Sequence, residues 1–268
     1  MTKLVICDID ATLVNEKKEL TPRTKEALIK LHEKGIYFGI ASGRPADELK
    51  RNKEYWDLPF DFDFVVGMNG AELWDGVHQK FYSYFMMKKE WLKETMEIMN
   101  VVKCNPMIYW DGKIRCVHID DWMIHSASTS HKELEVVKLE DFYAHENAKI
   151  MFRMKEEDMP KAETWVKEHP NPYYHGFKTQ STLLEFCDKR INKGYGLKKI
   201  CELNDLDIKD VMAFGDTSND NDMLKVAGCG VCMINGTDDT KACANAITKQ
   251  DNDHDGLAIY LEESGILC

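Results

Sequence analysis

Apolar and polar positions along the chain fall into two textures. Over the first stretch, short apolar runs alternate with amphipathic segments: "KLVICD", "TPRTKEALIKLHEKG", "IYFGIAS", a segment opened by Pro45, and "DFVVGM". Compact apolar runs rich in β-branched residues predict buried strands, while apolar residues recurring every three or four positions predict helices. Thr21 before Pro22 marks a helix start, and Gly35 a helix stop. Strand and helix alternating at this spacing predict a doubly wound, Rossmann-like parallel sheet of the α/β class. Such sheets bind their ligands at the carboxyl ends of the strands.

From about residue 85 to 189 the texture changes. A long helical pattern, "MKKEWLKETMEIMNVV", is followed by strand-like runs, "MIYWDGKIRCVHI" and "KIMFRM", and by a second helical pattern around "KAETWVKEH". Clustered strands with two helices predict an α+β layer. After residue 190 the alternation returns with "GYGLKKICELN", "DVMAFGD", "NDNDMLKVA", "GCGVCM", "DTKACANA" and "DGLAIYLEESG". The expected organisation is therefore one α/β core, residues 1–84 and 190–268, carrying an inserted α+β cap at 85–189.

Composition narrows the function classes. The 268 residues are 44% hydrophobic and 30% charged, which suits a folded globular chain. The formal net charge of −11 argues against a nucleic-acid surface, which needs a basic patch to displace phosphate counterions. No apolar run approaches the roughly 18 residues of a membrane span, and "MTKLVICDID" lacks the basic start and apolar core of a secretory signal. The expectation is a cytoplasmic protein with no membrane partner and reduced thiols at its nine cysteines. Cys229 and Cys232 form a C-x-x-C without a second pair or a suitably spaced histidine, so packed thiols are the simpler reading.

Candidate chemistry collects at strand ends. Asp8 and Asp10 of "ICDIDATLV" sit one residue apart where an apolar strand finishes, and two carboxylates at i and i+2 can grip a cation together. A strand edge turning into a polar loop explains them equally well. "AFGDTSNDND" places Asp216 and Asp220 past another strand, with Gly215 allowing a tight turn and Asn219 offering an amide. Turn chemistry and a helix cap account for the same residues. Ser42 of "GIASGRP" offers a hydroxyl at a helix start, where an anion can sit, and is as natural a cap. Lys193 of "INKGYGLKK", taken alone, reads as a solvated lysine.

The order of these elements resembles the haloacid dehalogenase superfamily of phosphatases and phosphotransferases. "ICDIDATLV", "IASGRP", "GMNGA", "NKGYGL", "GDTSNDNDML" and "HDGLAIYLEE" resemble, more narrowly, the Cof-type sugar-phosphate phosphatases. The likeness spans both halves of the core and leaves the middle segment without a signature. It implies a phosphatase for small phosphate monoesters in which Asp8 attacks phosphorus and Asp10 serves as acid and then base. It implies Mg²⁺ bound by Asp8, the main-chain carbonyl of Asp10 and Asp216, with Asp220 close by or acting through water. Ser42, Asn219 and Lys193 would hold the phosphoryl group, and Arg44 and Asn69 would face the same crevice. The resemblance also admits a phosphosugar mutase on the same core, or a silent ligand sensor; oligomeric state is not implied. One departure stands out: Ala11 occupies the position where the family's Asp-x-Asp-Gly-Thr has glycine, and the expected consequence is a small local adjustment of the backbone.

Overall fold

The computed structural model describes all 268 residues. The chain forms two compact units, one from Met1–Tyr82 with Asn192–Cys268 and the other from Ser83–Ile191.

The first unit opens with β1 (Leu4–Asp8), whose five residues are all buried. Helix α1 (Pro22–Glu33) follows, and its Thr21 cap accepts a hydrogen bond from the Thr24 amide. Next come β2 (Tyr37–Ala41), α2 (Ala46–Leu49) and α3 (Asn52–Tyr55). The helix expected from Pro45 is thus realised as two short turns, with Pro45 flanking the first. Strands β3 (Phe64–Gly67), β4 (Glu72–Asp75) and β5 (Lys80–Ser83) complete this half.

The inserted unit holds α4 (Lys89–Ile98), β6 (Cys104–Trp110), β7 (Lys113–Cys116), α5 (Asp121–Ser130) and β8 (Leu134–Val136). It continues with β9 (Lys149–Met154), α6 (Met159–Glu168), β10 (Tyr174–Gln180) and β11 (Leu183–Asp188). The chain then returns through α7 (Lys193–Leu203), β12 (Val211–Gly215), α8 (Asn221–Val226), β13 (Cys229–Cys232), α9 (Asp238–Cys243), β14 (Ala246–Ile247) and α10 (Gly256–Glu263).

The first unit's sheet runs β14-β13-β12-β1-β2-β3-β4-β5. Pairing is parallel from β14 to β3 and turns antiparallel at β3–β4. Strands such as "LVIC" and "VMAF" are apolar on both faces because helices cover both sides of a parallel sheet. Leu28 and Leu31 of α1 and Leu257 and Leu261 of α10 pack with Val5, Phe38 and Phe214 in one core. The chain leaves β1 toward β2 on one side and later enters β12 on the other. The order therefore reverses between β1 and β12, and such a reversal opens a crevice at the carboxyl ends of the two strands.

The inserted unit is two residues longer at each end than the pattern predicted. Arg190 explains one joint: it pairs with Asp188 through two nitrogens and lies 3.6 Å from the centre of the Phe85 ring, tying both ends to this unit. Its sheet runs β10-β11-β9-β6-β7-β8, antiparallel except at β7–β8. One face buries Ile150, Phe152, Leu184 and Phe186 with residues of α4 and α6; the other buries Met107, Met151 and Leu183 with Met123 of α5. That second face also carries a buried ion pair, Lys149 Nζ to Glu185 Oε2 at 2.9 Å. Burial works against a charged Lys149, but Glu185 outweighs it and raises its pKa. Replacing Lys149 by Met would leave Glu185 buried without that partner. Lys149→Met should cost about 3–5 kcal/mol in chemical denaturation, and Lys149→Met with Glu185→Leu should recover most of the loss.

Candidate active site

The carboxyl ends of β12, β1, β2 and β3, four neighbours in the sheet, carry the residues singled out by the sequence. Asp8 ends β1, Asp216 follows β12, Ser42 follows β2, and Asn69 lies in the turn after β3. Lys193 is the first residue of α7, whose Asn192 cap accepts from the Tyr195 amide at 2.7 Å. Although a lone lysine in such a sequence reads as solvated, Lys193 is fully buried.

Its burial is explained by its partners. Lys193 Nζ donates to Asp8 Oδ1 and, at 2.6 Å, to Asp220 Oδ1. The other oxygen of Asp220 accepts from the main-chain amides of Asp216 and Thr217 at 3.0 and 3.2 Å, so both of its oxygens are engaged. Gly215 makes this possible, because a Cβ there would lie 2.5 Å from the Asp220 carboxyl carbon. Asp216 uses one oxygen to accept the Thr12 hydroxyl at 2.9 Å. Oxygens of Asp8, Asp216 and Asp220 all lie within 4.8 Å of one another.

Three carboxylates with one ammonium leave two negative charges uncompensated when all are ionised. Burial and the neighbouring carboxylates push the Asp8 carboxyl well above the usual range despite Lys193. The same two causes push Asp216 up to about 6. For Lys193, burial favours the neutral amine, but Asp220 and Asp8 outweigh it and keep the ammonium charged. The donors are all hard oxygens and the excess charge is that of a divalent cation, so the cluster fits Mg²⁺.

Asp10 belongs to a second group. Its carboxylate accepts from Lys18 Nζ at 2.8 Å and from Arg44 Nη2 at 3.2 Å. Burial raises its pKa, but Arg44 and Lys18 outweigh that and hold it below the usual carboxylate range. Ser42 Oγ accepts from the Arg44 amide at 3.3 Å, and Ser42 O from the Asn69 amide at 3.0 Å, which joins the loops after β2 and β3. Asn69 Oδ1 is buried without a partner. Asn219 stands apart, exposed, with its Oδ1 accepting from the Thr217 hydroxyl. Thr12 and Lys18 join these groups from outside the residues that the sequence marks. Thr12 could have been taken from the first motif itself, whereas nothing in the local pattern marks Lys18.

Between the two groups the chain turns through Ile9–Leu13, where Ala11 adopts φ 59° and ψ 10°. Asn235 Nδ2 donates to the Ala11 carbonyl at 2.9 Å and pins the turn. The family's glycine is thus replaced at a left-handed position, where any Cβ is strained.

A profile described as haloacid dehalogenase-like hydrolase matches residues 5–261. The chain belongs to the haloacid dehalogenase-like hydrolases. Within this family it is 26% identical to the 5-amino-6-(5-phospho-D-ribitylamino)uracil phosphatase YitU of Bacillus subtilis, over 97% of this chain and 96% of that protein. It is 29% identical to a second B. subtilis phosphatase so described, YcsE, covering 96% and 93%. Among solved structures, a haloacid dehalogenase-like hydrolase from Bacteroides thetaiotaomicron superposes with a TM-score of 0.87 at 26% identity, over 98% of this chain and all of that one. The protein is accordingly a hydrolase of this superfamily, of the phosphatase type. No helix in it is long and apolar enough to cross a membrane.

Two outcomes follow from the site's geometry. Ala11→Gly should stabilise the protein by about 1 kcal/mol, relieving the left-handed strain against a small gain in unfolded-state freedom; equilibrium denaturation reads this. A carboxyl whose folded pKa is raised takes up its proton more readily folded than unfolded, so its contribution to stability is lost as pH climbs from about 4 through about 6. In chelator, Asp216→Asn should therefore be more stable than the parent at pH 8, and that advantage should vanish toward pH 4, as measured by denaturation midpoints across pH.

Proposed function

We propose that this protein is a Mg²⁺-dependent phosphatase of small phosphate monoesters, sugar phosphates foremost, acting through an aspartyl-phosphate. The observation that carries the reading is the three-carboxylate cluster with its single buried ammonium, set where the strand order reverses. Asp8 is the nucleophile: its oxygen forms a bond to phosphorus as the ester P–O bond breaks. Asp10, held ionised by its two cations before substrate binds, must take up a proton as the phosphate dianion arrives beside it; it gives that proton to the departing alkoxide, then takes one from the water that attacks the aspartyl-phosphate, releasing phosphate and restoring Asp8.

Bringing a phosphate dianion beside Asp8 costs about 4 kcal/mol per unit-charge pair at 4 Å and an effective dielectric near 20. Lys193 offsets part of this, and Asp8, Asp216 and the Asp10 carbonyl would hold the Mg²⁺, with Asp220 behind them. The metal would supply positive charge to offset the negative charge of the phosphoryl group. Ser42 and Asn219 are assigned to the phosphoryl oxygens, and Arg44 and Asn69 to the crevice beside them. Hydrogen bonds from such fixed donors stabilise the charge that spreads over the phosphoryl group.

The phosphoribitylamino substrate in the names of two relatives is an alkyl phosphate on a polyol chain, which favours sugar and polyol phosphates over aryl esters. Phosphate release from a panel of monoesters, with Mg²⁺ and with chelator, tests the reading beside Asp8→Asn. Release should need the metal, and Asp8→Asn should lose at least about a thousandfold in kcat. Release that survives both would overturn it, and release only on adding a sugar acceptor would mark a phosphotransferase.

A further inference from the structure

Resting on the phosphatase reading above, we infer that Lys18 is a positioning residue for Asp10: with Arg44 it fixes the carboxylate that protonates the leaving group. Both cations reach the same carboxylate, Lys18 Nζ at Oδ1 (2.8 Å) and Arg44 Nη2 at Oδ2 (3.2 Å) and Oδ1 (3.5 Å). A carboxylate gripped by two donors at once loses rotamers that a solvated one keeps, and proton transfer requires the donor oxygen within hydrogen-bond reach of the ester oxygen.

The loop that carries Lys18 is built to hold it there. Lys18 itself adopts φ 64°, a left-handed conformation that Gly or Asn takes more readily than Lys. Its amide bonds the Asn15 carbonyl at 2.9 Å, and Asn15 closes the turn against Glu19 through its own amide (3.0 Å) and its Oδ1 (2.9 Å). The turn is fastened from the far end of the chain. Asn252 Nδ2 donates to the Val14 carbonyl at 2.9 Å, Asp253 Oδ1 accepts from the Glu16 amide at 2.8 Å, and Asp255 Oδ1 accepts from the Thr21 hydroxyl at 2.5 Å. Three anchors on one short loop, and a lysine at a position better suited to glycine, single out the ammonium as the reason for the arrangement.

The size of the effect is bounded by exposure. Side-chain exposures are 62% for Lys18 and 43% for Asp10, and pairs so exposed couple by no more than about fivefold. The readout must therefore isolate the proton given to the leaving group. Ribose 5-phosphate, or the best alkyl ester of the panel, loses an alkoxide that needs a proton; p-nitrophenyl phosphate loses a stabilised anion that does not. Lys18→Asn and Lys18→Gly remove the ammonium yet suit the left-handed backbone, so their thermal midpoints should match or exceed the parent's and misfolding does not confuse the result.

The ratio of kcat for the alkyl ester to kcat for p-nitrophenyl phosphate should fall about three- to fivefold in both variants. KM should move little, and Lys18→Arg should restore the ratio. An unchanged ratio would overturn the inference, as would a loss confined to KM, which would mean direct contact with substrate. A rise in alkyl-ester turnover would overturn it too, since Lys18 would then be holding Asp10 away from its work. A parent protein that releases phosphate from neither ester overturns the phosphatase reading and this inference with it; a working parent with an unmoved ratio overturns this inference alone.

Discussion

One buried ammonium, bonded to two of three clustered carboxylates, governs the core of this protein. Lys193 bonds Asp8 and Asp220, while Asp216 sits within the same 4.8 Å group without a cation of its own. Removing charges from water is costly unless they are paired, and beyond Lys193 the surroundings answer the cluster with two main-chain amides on Asp220 and the Thr12 hydroxyl on Asp216. Even so, a net negative charge remains when all three are ionised, and that remainder is of the size a divalent cation would compensate.

The sheet determines where such a cluster can be assembled. Asp8 ends β1 and Asp216 follows β12, 208 residues later (216 − 8) in the sequence, yet β1 and β12 are direct neighbours. Cys7 pairs with Phe214, which sets Asp8 level with Gly215 and leaves Asp216 one residue beyond, where the strands end. Gly215 lets the Asp220 carboxylate fold back over the strand end. The inserted unit interrupts the chain between β5 and α7 without disturbing this register, because the sheet closes from residues on both sides of the insertion.

A second, looser electrostatic group surrounds Asp10. Here the partners are the half-buried Arg44 and the exposed Lys18, and the carboxylate is held ionised instead of being pushed toward its neutral form. Two aspartates separated by one residue thus meet opposite environments, one buried among like charges and one flanked by cations. The turn at Ile9–Leu13, with Ala11 in a left-handed conformation, is what divides them. A strand continued regularly through Asp10 would have pointed both side chains to one side.

Much of this was legible in the chain alone. Alternating apolar and amphipathic segments predict the doubly wound core, since burial on both sheet faces demands apolar strands, and the motif order identifies Asp8, Asp10, Asp216 and Lys193. Helix α5 leaves no clear signal in the sequence because its small and polar residues give weak periodicity, and its place is decided by the sheet face it covers. The burial of Lys193, the separation of Asp10 from the other carboxylates, the exposure of Asn219 and the arrival of Lys18 belong to tertiary structure. Each depends on which strand ends become neighbours and on loops fastened by residues more than 200 positions away, such as Asn252 and Asp253. Local pattern carries the period of an element and the type of a side chain; distances between charges arise only when the sheet brings remote segments together.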